Sequence, residues 1–477
     1  MPIRRALIFT GVAAVCMVMV SGCATTDPEG PFSQLNESIE ARTGKTLEWP
    51  RSAEAKTERS KRIETLLEDG LTLDEAVAIG LSNNRRIQGI YQQLGVSQAA
   101  VAQSQLLSNP HVGFAYLGGP SDLYKLELEA VTNILSLFMI PLRKALAEAQ
   151  LMRARRLIAG VVLDHIFDIQ RAYVRMQALQ QAYRLRERVL LSSEAAFEMA
   201  QQMRKAGNIT RLELLSRRSL LDEDRLALSS ASLTLFSARE DLNRLMGLWK
   251  EEVDWHMAAE LPPLPPQKPQ VPEVEKRAVS ASVDLALARS ELQVAARELG
   301  ITDVTSILPE LRVGAAFERE EDGTWLGGPA LELPLPIFDP GHAKRSRARA
   351  MVTQRWEEFT AIAVETRSQA RQALRRLTTA WEQAHYYETS FLPLRQAMTR
   401  QAQRRYNGMF LGVFELLMIK RMEIRASLGR IDKLKDYWLA RMDLDEILSG
   451  KLPDPSTSMT VMGPASGGMP SGQGGHE

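Results

Sequence analysis

Residues 311–320 read LRVGAAFERE. Leu311, Val313, Ala315 and Phe317 fall on one face of an extended chain; Arg312, Ala316 and Glu318 fall on the other, with Gly314 among them. Strict alternation of this kind predicts a strand. Three more segments read alike. Val112, Phe114 and Tyr116 share a face of a strand that ends in a turn over residues 118–122. Beyond the turn, Tyr124, Leu126, Leu128 and Ala130 alternate with Lys125, Glu127 and Glu129. After a second turn at Glu320–Gly323, Leu331, Leu333 and Leu335 alternate with Glu332, Pro334 and Pro336. Strand pairs are thus expected over 110–131 and 309–336, each with one apolar and one charged face.

Around these strands the chain reads as helix. Ala, Leu, Arg, Glu and Gln dominate its middle and aromatic residues make up only 6%, as in long helices and coiled coils. Between Arg143 and Ala206 stand one glycine and no proline, a segment on the order of 90 Å long as helix. Between Lys344 and Phe391 there is neither. Helices of that length must lie side by side as a coiled-coil bundle or cylinder.

Composition excludes several function classes. A formal charge of +1 over 477 residues carries no polyanion signal, so nucleic acid is not an expected partner. Six scattered histidines include no HExxH and no i,i+4 pair, so no metal site is expected in the body. The two cysteines, Cys16 and Cys23, sit at the extreme N-terminus and build no disulfide framework. No GxxxxGK[ST] loop appears. Glu127 and Glu129 suit an acidic lining better than acid–base chemistry. The expectation is a protein that is no enzyme and needs no cofactor.

The N-terminus reads as an address. Arg4 and Arg5 precede a largely apolar run, Ala6 to Val20, which is shorter than the ~20 residues of a spanning helix. Val-Ser-Gly-Cys follows, an ending that resembles the bacterial lipobox. By that resemblance 1–22 is a signal peptide, Cys23 becomes the acylated first residue, and Ala24 directs the lipoprotein to the outer membrane. An uncleaved membrane anchor is the bland alternative.

The second half restates the first. Ala238, Arg239, Asp241 and Leu242 recur as Ala440, Arg441, Asp443 and Leu444, and Glu213-Leu214-Leu215 recurs as Glu415-Leu416-Leu417, both at a spacing of 202 residues (238 to 440, 213 to 415). The expected layout has a lipid-anchored segment over 23–70 and a first repeat over 71–260 with long helices over 143–250. A Pro-rich linker over 261–272 precedes a second repeat, 273–450, with long helices over 342–448. Thr72-Leu-Asp-Glu75 has capping-box spacing; Glu273 opens the second repeat with a poorer cap. Residues 451–477 form a Gly/Pro/Met tail. Its Met459, Met462, Met469 and His476 read either as a soft Cu(I) site or as incidental residues of a disordered tail.

Pattern alone allows either a small soluble sheet packed on helices or transmembrane strands; the outer-membrane address favours the second. Four strands cannot close a barrel, and an open sheet edge in hydrocarbon leaves its amides unsatisfied. Two copies give eight strands, a cylinder that side chains would fill; three give twelve, wide enough for a pore. A homotrimer is the smallest open solution. Lys125, Glu127, Glu129, Arg312, Glu318 and Glu332 would then face a wet lumen.

With these elements the chain resembles the TolC family of outer-membrane efflux channels. The residues concerned are Leu71-Thr-Leu-Asp-Glu-Ala-Val77 with Asn83-Asn84, Leu333-Pro-Leu-Pro-Ile-Phe-Asp-Pro-Gly341, Arg405-Tyr406 with Glu415-Leu-Leu417, and Asp241-Leu242 with Leu245. The resemblance implies a mainly α fold with a small β part, built of two tandem repeats. Three copies would form a 12-stranded outer-membrane β-barrel that continues into a periplasmic α-helical barrel. It implies a passive duct for a periplasmic adaptor and an inner-membrane pump, serving drug-type or heavy-metal (copper) efflux. It also implies a periplasmic gate at Tyr406 and Glu415. Met418 stands where relatives can carry a second carboxylate and Leu411 where an arginine can occur, which leaves an apolar ring including Met418 as the other form of constriction. Gly207, Asn208, Gly408 and Gly412 are the expected hairpin tips that meet the adaptor, glycine and asparagine permitting the left-handed turn. The competing class is a periplasmic coiled-coil lipoprotein scaffold without a channel.

Overall fold

The structure, a computed structural model, describes residues 27–118, 124–308, 310–320 and 323–453. Four helices open the chain: α1 (Glu29–Thr43), α2 (Ala53–Glu68), α3 (Leu73–Asn83) and α4 (Arg85–Ser104). Helix α3 starts where its sequence says it should. Thr72 Oγ1 accepts from the Glu75 amide at 3.3 Å and Glu75 returns the bond to the Thr72 amide at 2.8 Å. Asn83 and Asn84 cap a distant element, donating through their side-chain amides to the carbonyls of Gly247 and Leu245 at 2.9 Å. These bonds satisfy carbonyls at a helix C-terminus that would otherwise lack partners.

Strands β1 (His111–Gly118) and β2 (Tyr124–Asn133) pair antiparallel, as do β3 (Arg312–Arg319) and β4 (Trp325–Glu332). β2 also pairs with β3, so the four form one sheet in the order β1-β2-β3-β4. Half the partners sought by LRVGAAFERE therefore come from residues 126–133 of the same chain. Gly314 is required there: a Cβ on it would lie 1.9 Å from the Ala130 carbonyl oxygen. Gly327 lies opposite Phe317, whose ring covers it; a Cβ would meet that ring at 2.7 Å.

The expected second strand of this pair is displaced. It runs over Trp325–Glu332, while Leu333, Pro334, Leu335 and Pro336 lie outside any strand. Pro334 and Pro336 leave two of the next four residues without an N–H for a ladder, while Gly327, Gly328 and Pro329, weak strand formers by propensity, are drawn in by pairing with β3.

After the short helix α5 (Leu135–Phe138), the 66-residue α6 (Ile140–Lys205) and α7 (Arg211–Met246) make a first hairpin. Residues 261–272 carry neither helix nor strand. Helices α8 (Val274–Ala281) and α9 (Val283–Thr305) precede β3. Glu273 caps α8 from the left-handed region (φ 51°) with no side-chain bond. The second hairpin is α10 (His342–Tyr386), a π turn (Tyr387–Phe391), α11 (Leu392–Asn407) and α12 (Val413–Ser449). The π turn absorbs Pro393, which lacks the amide a regular ladder needs.

The chain divides into two compact units. One holds the sheet, within Ile90–Arg155 and Leu287–Phe359 plus the stretch to Leu35; the other takes Asn36–Gly89, Arg156–Ala286 and the chain from Thr360. Each draws on both halves of the sequence. In the second unit Ala370, Ala373, Leu377 and Ala384 of α10 pack with Tyr437, Leu444 and Ile447 of α12, small residues letting the helices approach. No helix of the described residues is long and apolar enough to cross a membrane.

Candidate functional site

The sheet register sorts side chains by face. Val112, Phe114 and Tyr116 of β1 align with Ala130, Leu128 and Leu126 of β2, then with Ala315 and Phe317 of β3 and Pro329 and Leu331 of β4. This face is bare: Val112 is 75% exposed, Phe114 68%, Tyr116 63% and Leu331 69%. A soluble sheet packed on helices would bury such a face.

The other face gathers all six residues expected to be polar-facing: Lys125, Glu127, Glu129, Arg312, Glu318 and Glu332. Lys125 Nζ lies 2.9 Å from Glu127 and 2.8 Å from Glu318; Arg312 lies 2.7 Å from Glu310 and 3.3 Å from Glu332. These groups are half-exposed, so the pairs order a hydrated surface more than they stabilise it. Leu117, Leu326 and buried Val131 share this face as apolar exceptions, and Arg319, opposite Leu126, is the charged exception on the other.

In the second unit, the tip of the first hairpin turns on Gly207 (φ +77°), with Asn208 beside it. Helix α7 then starts on a capping box that sequence inspection missed, Thr210 with Glu213, although S/T-x-x-E spacing marks it. The second tip differs from expectation. Gly408 has φ −84° and Gly412 is an extended N-cap (φ −73°, ψ 151°); the left-handed residue is Met409 at φ +62°. Glycine there permits the turn without being the residue that makes it. Met409 and Phe410 are almost fully exposed.

Tyr406 and Glu415 flank this tip on α11 and α12. Both are exposed, and among the described residues neither side chain makes a hydrogen bond or ion pair. Met418, half-exposed, joins Val189, Leu220 and Leu417 around a cavity of about 50 Å³ between the two hairpins. The polar contact joining the hairpins is one the sequence did not announce. Arg421 of α12 donates to both carboxylate oxygens of Asp224 on α7, at 2.9 and 2.7 Å, and Ser193 of α6 donates to the same carboxylate at 2.6 Å. Bidentate geometry and burial of Asp224 make this the strongest link near the tips. Arg217 stacks over Phe414, 4.2 Å from its ring centre, and adds to it.

A second link joins α6 to α12 through Arg171, which lies 2.5 Å from Glu446, 2.8 Å from Asp168 and 3.5 Å from Asp443. Burial pushes Glu446 up to about 7 even with the guanidinium against it, and the charges of Asp164 and Asp443 add to the rise. Burial likewise lifts Asp164 to about 6, against the pull of Lys451 at 3.6 Å. Arg171 keeps its proton, because attraction to Glu446 and Asp168 outweighs its own desolvation. Among the described residues no His/Cys/Asp/Glu group could hold a metal ion. Cys23 and the methionine-bearing tail lie outside the described residues.

Neither a protein-family model nor a curated protein sequence matches the chain. Solved structures do. CmeC, an outer membrane channel of Campylobacter jejuni, is 15% identical with a TM-score of 0.62, over 89% of this chain and 94% of that one. VceC, an outer membrane protein of Vibrio cholerae, is 14% identical with a TM-score of 0.63, over 84% and 100%. CusC, a protein that forms a transmembrane channel, is 13% identical with a TM-score of 0.65, over 79% and 92%. The chain has the fold of these outer-membrane channels. A mainly helical chain with a small antiparallel sheet is what the TolC-family resemblance implies for one copy.

Proposed function

We propose that the protein is the outer-membrane exit duct of a tripartite efflux system, a passive channel supplied by an inner-membrane pump through a periplasmic adaptor. The observation that carries this reading is the sheet, bare and apolar on one face and charged on the other, which suits lipid outside and water within. β1 and β4 each keep one edge without a partner strand among the described residues. Three copies would close twelve strands and remove those edges. Helix α7 supports the same assembly: exposed Leu212, Leu215, Leu226, Leu233 and Phe236 follow a heptad spacing and form a seam that a second copy would cover.

In this reading 71–260 and 273–450 are the two repeats, and acylated Cys23 tethers the chain to the outer membrane. Lys125, Glu127, Glu129, Arg312, Glu318 and Glu332 line the lumen. Tyr406, Glu415 and Met418 narrow the periplasmic end, and the tips at Gly207, Asn208, Gly408 and Gly412 meet the adaptor. Full-length protein in planar bilayers is expected to give discrete conductance steps that grow when Glu415 and Met418 are both replaced by alanine. A silent bilayer from a sample that stays monomeric in mild detergent overturns the reading. Accumulation in a deletion strain assigns the cargo: retained dye with normal copper means drug-type efflux, and the reverse means metal efflux.

A further inference from the structure

One end of the sheet carries an apolar surface followed at once by a basic one. The register brings the start of β1, the end of β2, the start of β3 and the end of β4 together, through His111 opposite Val131, Asn133 opposite Arg312 and Arg312 opposite Glu332. Just beyond that end stand Leu107, Phe138, Leu335, Ile337 and Phe338, all exposed, Phe338 at 99%. Gly341 (φ +76°) then folds against Ser306, where a Cβ would come within 2.3 Å, and so aims the start of α10 back beside the end of α9.

Helix α10 opens with His342, Lys344, Arg345, Arg347 and Arg349 and has no acidic residue in its first turn. Lys344 and Arg345, in the first turn, oppose the macrodipole, and Arg347 and Arg349 extend the basic run into the second. Two of the charges are engaged within the chain: Lys344 with Asp339 at 2.8 Å, and Arg345 with the Pro340 carbonyl at 3.1 Å. Arg347 and Arg349 are exposed and make no ion pair among the described residues; Glu298 lines the same cleft as Arg347 without pairing with it.

We infer that this end of the sheet is a docking surface for anionic phospholipid, with Phe338 and its apolar neighbours at the acyl boundary and Arg347 and Arg349 on the headgroup phosphates. An apolar segment followed by a basic one is the profile of an interfacial contact, and charge complementarity selects the anionic headgroup. The surface continues the bare sheet face, so the inference rests on the membrane reading above; it adds which end meets headgroups and which lipid that end prefers.

The test uses full-length acylated protein in bilayers of phosphatidylethanolamine alone or mixed with phosphatidylglycerol, and measures the lipid that stays bound after extraction. Wild type is expected to be enriched in phosphatidylglycerol over the bulk mixture, with about a fivefold loss of enrichment for each arginine replaced in R347Q and R349Q. F338S is expected to retain less lipid of both kinds at an unchanged ratio. Equal ratios in wild type and the double arginine variant overturn the inference alone. A chain that enters neither bilayer overturns the exit-duct reading, and this inference with it.

Discussion

The hairpin of α6 and α7 turns on Gly207, for which a φ of +77° carries no side-chain penalty, whereas the hairpin of α11 and α12 turns on Met409 at +62°. The first tip also has a complete capping box at Thr210 and Glu213; the second starts α12 on Gly412 with no side-chain cap. Helix α6 runs 66 residues without interruption, while its counterpart is broken by a π turn beside Pro393. At that turn Tyr387 packs on Gly429 of α12, where a Cβ would meet its ring at 2.9 Å. One hairpin is built of locally preferred geometry throughout. The other holds several unfavourable choices that its neighbours must support, and it is the one carrying Tyr406, Glu415 and Met418. A gate that moves is expected to move there.

The largest test of this contrast is Asp224→Ala. It leaves Arg421 without its carboxylate, at a cost of about 3 kcal/mol for a buried pair with one partner removed. Amide exchange is expected to rise around Arg421 in α12 well before it rises in α6, and an equal rise in both breaks the asymmetry. Next in size is a pH effect at the Arg171 link. Asp164 on α6 and Glu446 on α12 hold their protons to about 6 and 7, above the ordinary carboxylate range. Folding therefore takes up protons, so their contribution is full below about pH 4 and lost as pH rises through 6 and 7. The loss is on the order of 2 kcal/mol, read as a falling melting temperature, and Glu446→Gln is expected to flatten the profile more than Asp164→Asn.

Smaller effects come from the tips. Thr210→Ala removes the cap of α7 and is expected to cost about 1 kcal/mol in chemical denaturation. Met409→Gly relieves a left-handed methionine and is expected to gain about 0.5–1 kcal/mol, while Gly207→Ala loses about as much. If both tip substitutions shift stability in the same direction, the two turns are not different in the way described.

Much of the architecture was legible in local pattern. Alternation placed β1, β2 and β3, the proline-free run from Arg143 located α6, and Thr72 with Glu75 marked the start of α3. The misplaced β4 shows the limit. LELPLP alternates better than WLGGPALE, but it sets two prolines close together just past Glu332, whereas β4 holds only Pro329 and keeps its other amides for β3, and no pattern of hydrophobicity counts amides. The second tip fails for a related reason. Three glycines or asparagines, at 407, 408 and 412, all suited a left-handed turn, and the path of the chain between α11 and α12 gave that conformation to Met409 instead.

The candidate site divides the same way. That Lys125, Glu127 and Glu129 share one face of β2, and Arg312 and Glu318 one face of β3, follows from a side-chain period of two; that these faces coincide, with Glu332 beside them, was set by the register of the sheet. Likewise the Thr72 box and the long proline-free run of α6 from Arg143 onward are decided by interactions within a few residues of one another. The pairing of β2 with β3 joins residues 179 (Asn133 to Arg312) to 193 (Leu126 to Arg319) positions apart, and the Arg421–Asp224 and Arg171–Glu446 links join residues 197 and 275 apart. Contacts at that range leave no periodicity in the chain, because their partners are chosen by packing and by shared burial of charge; only the tertiary structure decided them.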